Sequence, residues 1–329
     1  MTDNSKRIVG VGNALVDVVA SVEADVIGRH QLTHGGMHLV DGDAARALFA
    51  EVGPGVSQSG GSVANSIAHL ADLGLPGTYL GKVADDTLGE KFFEEMSKLG
   101  IAAPVARLNG GTGTGHCVVL VTPDGERTMS THLGAAQALT PADIAASMPE
   151  SFALLMVEGY LWDAPEGAAV IEAAAKRAKA AGAKVALTPS DAGCVERNRD
   201  AMMAFIEGHC DILIGNHVEV GALAGSDDTE KAMDWALSHV GIAAVTESEK
   251  GSLVADASGR HRIAAEPIDR VVDSTGAGDA YASGFLGGLV SGTDVADAGR
   301  QGARLAARVL THYGARDGEA ARALAIPAA

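Results

Sequence analysis

The chain has 329 residues, 47% of them hydrophobic, enough for a large core in one α/β domain with an excursion or in two domains. With 42 acidic against 25 basic residues the formal net charge is −17, and a surface that acidic excludes a general nucleic-acid binder. No run of about 18 apolar residues occurs, so no membrane-spanning helix is expected, and the three cysteines, Cys117, Cys194 and Cys210, lack C-x-x-C spacing and argue for a reduced, cytoplasmic setting.

The opening MTDNSKRIVGVGN has no long apolar stretch behind its basic residues, so no signal peptide is expected. Residues 7–11 read as a buried strand ended by Gly12 and Asn13, and 16–22 as a second strand with which 37–41 could pair. A helix over 62–73 opens after Gly60-Gly61 with Ser62 as its cap. Strand 78–83 and helix 87–99 follow, then a hairpin of 115–121 and 126–132 about Pro123-Asp124-Gly125. Beyond it the chain alternates: strand 152–157, helix 165–181, strand 184–188, helix 198–208, strand 211–215, helices 217–224 and 229–239, strand 242–246. That alternation predicts a parallel sheet with helices on both faces. A hairpin, 252–256 with 261–265, and two helices, 277–290 and 294–312, complete the chain. Neither a repeat nor a low-complexity linker divides it, so residues 1–329 read as a single domain with a small β excursion from about 13–41 and 102–133.

The stretch Asp273-Ser274-Thr275-Gly276-Ala277-Gly278-Asp279 carries the most chemistry. Gly276 and Gly278 allow backbone conformations that turn successive amides, Ala277 included, into one concavity, and a helix starts at once. Such a place suits charge developing on transferring phosphate oxygens. A carboxylate there, Asp279, is electrostatically misplaced unless it accepts a proton from an attacking hydroxyl. Asp273 could orient water around magnesium. Read alone, G-x-G-D is an ordinary strand-to-helix turn with a dipole-favoured acid. Gly10-Val11-Gly12 begins like a dinucleotide fingerprint, but Leu15 stands where its third glycine belongs, and no Walker A motif is present.

The seven-residue string resembles the signature of the ribokinase, or PfkB, family of carbohydrate and nucleoside kinases, usually D-T-x-G-A-G-D, with Ser274 in place of Thr. Further stretches resemble family elements in family order, from about residue 8 to residue 315. Gly60-Gly61-Ser62-Val63-Ala64-Asn65 resembles the di-glycine hinge that contacts the sugar. Gly12-Asn13-Ala14-Leu15-Val16-Asp17 resembles the segment whose Asp binds vicinal hydroxyls. Asn216-His217-Val218-Glu219 resembles the N-x-x-E that positions magnesium, and Thr246-Glu247-Ser248-Glu249-Lys250-Gly251 the loop beside the ATP phosphates and ribose.

The resemblance therefore implies a ribokinase-like three-layer α/β/α fold with a mostly parallel central sheet and a small β-sheet lid. It implies catalysis by Asp279 with Gly276, Ala277, Gly278 and Arg127, and substrate binding by Asn13, Asp17, Gly60, Gly61 and Asn65. ATP would meet Asn216, Thr246, Ser248, Gly251, Thr275, Gly276 and Gly278. Magnesium would meet Glu219, Asn216 and, through water, Asp273, and a monovalent cation is a further candidate. GNALVDVVASV, HGGMHLVD, VTPDGERTMSTHLGAA, EGYLWD and SEKGS are most similar to the adenosine and nucleoside kinase branch. There Arg127 would reach the transferred phosphate, and Tyr160 or Trp162 would stack on a base at the carboxyl edge of the sheet. The expected partner is a small nucleoside or sugar, for a monomer or a homodimer. A kinase for ribose, fructose or a keto-sugar acid is the alternative acceptor class, and a non-catalytic binding protein on a kinase fold is the alternative of another kind.

Overall fold

The computed structural model describes residues 4–53, 56–123, 127–312 and 314–316, with Asn4, Val56 and Arg127 described in backbone alone. The first half runs β1 (Ile8–Val11), β2 (Leu15–Ser21), α1 (Ala24–Arg29), β3 (Met37–Leu39), α2 (Gly42–Val52), β4 (Val56–Gly60), α3 (Ser62–Asp72), β5 (Gly77–Leu80), α4 (Thr87–Lys98), β6 (Gly115–Val121) and β7 (Arg127–His132). The second half continues with α5 (Pro141–Ser147), β8 (Leu154–Glu158), α6 (Gly167–Ala180), β9 (Lys184–Thr188), α7 (Ala192–His209), β10 (Ile212–Asn216), α8 (His217–Ala224) and α9 (Thr229–Leu237). It ends with β11 (Ile242–Thr246), β12 (Ser252–Asp256), β13 (Gly259–Ile263), α10 (Ala277–Val290) and α11 (Val295–Val309).

Two burial patterns make two sheets. Strands buried along their whole length, such as β1 and β8, build an eight-stranded sheet ordered β13-β12-β11-β10-β9-β8-β1-β5. Its pairings from β5 through β11 are parallel, and β12 and β13 add antiparallel to one edge. Alternate residues feed opposite faces: Leu155 and Val157 pack towards α6 and α7, while Leu154 and Met156 pack with the apolar faces of α3 and α10. Continuous apolar strands are what a sheet covered on both faces requires. β2 instead alternates buried with half-buried residues, as a one-sided sheet does. It belongs to a five-stranded sheet ordered β3-β7-β6-β2-β4.

The expected ribokinase-like three-layer arrangement with a second small sheet is therefore present. β1 is the point where the order reverses, since β5 lies on one side of it and β8 on the other. Ligand crevices of open α/β sheets form at the carboxyl ends flanking such a point. Three readings differ from the structure in detail. Residues 37–39 pair with β7, and the place beside β2 goes to β4. The polar run Val-Ser-Gln-Ser-Gly of β4 carried no strand signal. The smaller sheet also brings α1 and α2 with it. Helix α7 begins at Ala192, six residues before the expected start, because the Asp191 carboxylate caps the Cys194 amide at 2.7 Å. Asn198 bends it with a non-helical φ of −123°. Among the described residues no helix is long and apolar enough to cross a membrane.

Candidate active site

A cavity of about 990 Å³ opens where β1 and β8 end, facing the smaller sheet. Its floor is Asn13, Glu158 and the loop 271–279, and its opposite wall is Leu15, Asp17, Cys117, Met129 and Thr131 of the smaller sheet. Met37 and Leu39, on the edge strand β3, stand at the mouth and are 37% and 49% exposed, large apolar side chains left in water beside a polar floor.

The anion loop is built by its own hydrogen bonds. Asp273 is 3% exposed; its Oδ1 accepts from the Thr275 amide at 2.8 Å and its Oδ2 from the Gly314 amide at 2.7 Å. Asp273 thus shapes the loop, each of its oxygens accepting from a backbone amide. Gly276 caps α10 in the left-handed region at φ +77°, where a Cβ would also come within 2.6 Å of Ala315. Gly278 is different. It is helical and exposed, and a Cβ there would meet nothing within 4 Å. Its openness leaves the free amides of the α10 N-terminus accessible from the cavity.

Asp279 stands in the first turn of α10 at the cavity floor. Ser62 Oγ donates to its Oδ1 at 2.7 Å and Asn65 Nδ2 to its Oδ2 at 3.3 Å. Burial pushes its carboxyl up to about 6, and those two donors oppose the rise. Ser62 was expected to cap α3; that cap position is taken by Gly61, and the serine hydroxyl goes to Asp279. Ser66 and Ser283 hold the Asp279 carbonyl, so small residues let α3 and α10 lie close behind the carboxylate.

Asn13, Asp17, Gly60, Gly61 and Asn65 come together beside Asp279, between the floor and the smaller sheet. A Cβ at Gly60 would collide with the Asp17 carboxylate, and one at Gly61, with φ +100°, would collide with the Asn13 carbonyl. Burial pushes Asp17 up to about 6, Arg316 draws it down, and Asp279 raises it further. Asn13 and Asn65 are 2% and 4% exposed, line the cavity, and have buried Oδ1 atoms with no hydrogen-bond partner among the described residues. Buried polar atoms left unsatisfied beside a cavity mark where a ligand's donors belong.

Sequence reasoning missed Glu158. It is fully buried and accepts from the Asn13 amide and the Val63 amide, each at 2.9 Å, tying the end of β1 to the start of α3. Burial pushes it up to about 7 against those two amides, with the Asp279 charge adding to the rise. A buried Glu closing an apolar strand, in EGYLWD, was the available signal.

Asn216 and Glu219 form a reciprocal capping box on α8: Asn216 Oδ1 accepts from the Val218 and Glu219 amides, and Glu219 accepts from the Asn216 amide at 3.0 Å and its Nδ2 at 2.6 Å. Both residues line the cavity, and burial pushes Glu219 up to about 7. Thr246, Ser248 and Gly251 lie one strand further out, since Thr246 pairs with Asn216 across β10 and β11, and they do not line the cavity. Gly251 has φ +87° and sits against the Ile263 carbonyl, so the turn itself requires glycine. Arg127 opens β7, and its side chain lies outside the described residues, as do Asp124 and Gly125 of the hairpin turn. Tyr160 lines the cavity, whereas Trp162 packs edge-on against Phe205 with ring centroids 5.5 Å apart. Cys117 lines the wall, and burial pushes its thiol up to about 12, far from a thiolate nucleophile.

A helix N-terminus that can receive phosphate oxygens, a carboxylate beside it that can take a proton, and orphaned acceptors in a crevice at a switch point together define a small-molecule kinase of the ribokinase type. The comparisons with known proteins agree. The pfkB family carbohydrate kinase model matches residues 40–322. The crystal structure of adenosine kinase from Sinorhizobium meliloti superposes with a TM-score of 0.89 at 36% identity, covering 96% of this chain and 97% of that one. A probable sugar kinase from Rhizobium etli CFN 42 superposes with a TM-score of 0.90 at 34% identity, covering 98% of each chain. The adenosine kinase of Saccharomyces cerevisiae is 27% identical over 93% of this chain and 95% of its own. The chain belongs to the pfkB family, in its adenosine kinase-like branch. It is a phosphotransferase acting on a hydroxyl of a nucleoside or sugar, with ATP as the phosphoryl donor.

Among the described residues no group of three or more His, Cys, Asp or Glu is arranged to hold a metal. Asn216 and Glu219, which line the cavity as oxygen donors, are of the kind that would meet the water of a magnesium ion arriving with ATP.

Proposed function

We propose that this enzyme transfers the γ-phosphoryl group of ATP to the 5′-hydroxyl of a purine nucleoside, adenosine foremost, with inosine and guanosine as further acceptors. The observation that carries the reading is Asp279, a carboxylate at the start of α10, oriented by Ser62 and Asn65 and facing the cavity beside open backbone amides. Asp17 accepts from two neighbouring hydroxyls of the ribose, with the orphaned Oδ1 atoms of Asn13 and Asn65 as further acceptors. Asp279 takes the proton of the attacking hydroxyl as its oxygen bonds to phosphorus and ADP leaves. The amides of Gly276 and Gly278 receive the charge on the phosphoryl oxygens, while the Ala277 amide, expected to join them, donates to the Ser274 carbonyl at 3.2 Å and shapes the turn.

Magnesium carried by ATP would neutralise charge on the phosphates, and Asn216, Glu219 and, through water, Asp273 are the residues that would hold it. The nucleotide then extends along the ends of β10 and β11, towards Thr246, Ser248 and Gly251. The smaller sheet acts as a lid that excludes water when the acceptor docks on Asp17.

A nucleoside is favoured over a bare sugar by the apolar wall beside Asp17. Leu15, Met37, Leu39, Met129 and Leu133 suit a flat base and have no counterpart in a free sugar. The similarity to a probable sugar kinase keeps the sugar reading as the second one. A coupled ADP-release assay with MgATP, run against nucleosides and free sugars, separates them. Turnover on adenosine, inosine or guanosine with little on ribose or fructose is expected. Turnover on free sugars alone would overturn the nucleoside assignment and keep the reaction.

A further inference from the structure

Three residues after α11 touch three parts of the site. The Gly314 amide donates to Asp273 Oδ2 at 2.7 Å. The Ala315 carbonyl accepts from His69 Nε2 of α3 at 2.9 Å, and Ala315 lies against Gly276. Arg316 then turns its guanidinium inwards, with only 5% of its side chain exposed. Its Nη2 donates to the Ser59 carbonyl and, at 2.8 Å, to the Ser59 hydroxyl, and Glu95 Oε2 lies 3.7 Å away. Glu95 itself accepts from the Ser59 amide at 2.6 Å and its hydroxyl at 2.7 Å.

Ser59 precedes Gly60, the residue whose missing side chain leaves room for the Asp17 carboxylate. A buried guanidinium is costly to desolvate unless anions compensate it. Glu95 is 3.7 Å away, its Oε2 already serves Ser59 and its Oε1 lies 3.2 Å from Lys91 Nζ, while Arg316 Nε is buried with no hydrogen-bond partner among the described residues. Asp17, which packs against Gly60 and interacts with the Arg316 charge, is the carboxylate that opens onto the cavity.

We propose that Arg316 is a positioning residue for Asp17: its buried charge keeps that carboxylate ionised and in place, and segment 314–316 couples it to the anion loop that binds phosphate. The inference rests on reading Asp17 as the group that accepts the substrate hydroxyls. Acceptor recognition on the smaller sheet and phosphate recognition at α10 thereby share one strap. The charged or titratable groups facing Asp17 are Arg316 from the strap, Asp279 from α10 and the Cys117 thiol from β6. Those facing Arg316 are Glu95 from α4 and Asp72 from α3 as well as Asp17.

The test has two readouts. The first needs no substrate. Unfolding of the full chain is followed at about pH 5.5 and pH 8 for wild type, Arg316→Gln, Asp17→Asn and the double variant. Loss of Arg316 is expected to destabilise more at the higher pH while Asp17 is present, and equally at both once Asp17 is Asn. An equal loss at both pH values with Asp17 present would overturn the proposal and leave Arg316 as packing.

The second readout is calorimetric binding of adenosine and ribose across pH, without ATP. The acid limb of binding is expected near pH 6 in wild type, where Asp17 titrates. It should move up by about one unit in Arg316→Gln, as loss of one favourable charge partner implies, and return in Arg316→Lys. A Lys variant that behaves like Gln would overturn the role of the charge. Should Arg316→Gln not fold, Glu95→Gln removes the competing anion, and the limb should move to lower pH; an unmoved limb contradicts the proposal. If neither ligand binds wild type, the nucleoside and sugar reading fails, and the unfolding cycle still decides the coupling.

Discussion

Asp279 is held between opposing demands. Burial disfavours its charge, while Ser62 and Asn65 favour it, and the balance near 6 leaves it ionised at neutral pH yet basic enough to take a proton. Asp279→Asn should keep acceptor binding and lose roughly 10²–10⁴-fold in kcat, the scale of general-base work. Near-normal kcat in the folded variant would reject the assignment. Ser62→Ala removes the shorter of the two hydrogen bonds to the carboxylate, so its pKa should rise. The acid limb of kcat, near pH 6 in wild type, should move to higher pH, read from a pH–rate profile. An unmoved limb would mean that another group sets it. Asp279 was legible in the sequence because glycines and a helix start surround it. The role of Ser62 was not, because a serine opening a helix reads as a cap. Glu158 was hidden because its partners, Asn13 and Val63, are distant in sequence.

At the scale of the element, the two glycines of the anion loop serve different ends. Gly276→Ala should destabilise the fold, by about 1–2 kcal/mol for the left-handed backbone alone and more for the contact with Ala315. Gly278→Ala should fold with little change in melting temperature, because its side chain would enter open space. It should still raise the KM for ATP, because that space is where phosphate oxygens would lie. The capping box of α8 makes a second contrast. Glu219→Gln keeps a residue competent at that capping position, so thermal stability should hold. A tenfold or greater fall in kcat with stability intact would assign the charge of Glu219 to the metal; unchanged kcat would leave it a cap. The parallel strands and most helices were legible because each buries a continuous apolar run or stripe. The smaller sheet was less so: β4 is short and polar, and its pairing with β2 is set by the reversal of the chain around α2.

Across the whole molecule, four cavity carboxylates have raised values: Asp17 and Asp279 to about 6, Glu158 and Glu219 to about 7. Between the ordinary carboxylate range and those values the folded chain holds protons that the unfolded chain has released. These four groups therefore make stability fall as pH rises through that window, outnumbering His116, whose value burial lowers and whose contribution has the opposite sign. Asp41, Asp86, Glu95 and Asp143 are held below their usual values, so the stability they contribute is lost only at more acidic pH. Thermal melts of the free protein should show a higher midpoint near pH 5 than near pH 7.5. A midpoint that rises across that interval would mean the four carboxylates are not desolvated as described. The same clustered acidity makes the free site unfavourable, a strain that a ligand donating hydroxyls to Asp17 and Asp279 would relieve.

The central claim is phosphoryl transfer from ATP to a nucleoside hydroxyl with Asp279 as base. Its most direct test is product analysis after wild type and Asp279→Asn are each incubated with MgATP and adenosine. The account predicts ADP and a nucleoside 5′-monophosphate in equal amounts from wild type, and neither at a comparable rate from the variant. Equal rates from the two proteins, or ADP without a phosphorylated acceptor, would contradict it.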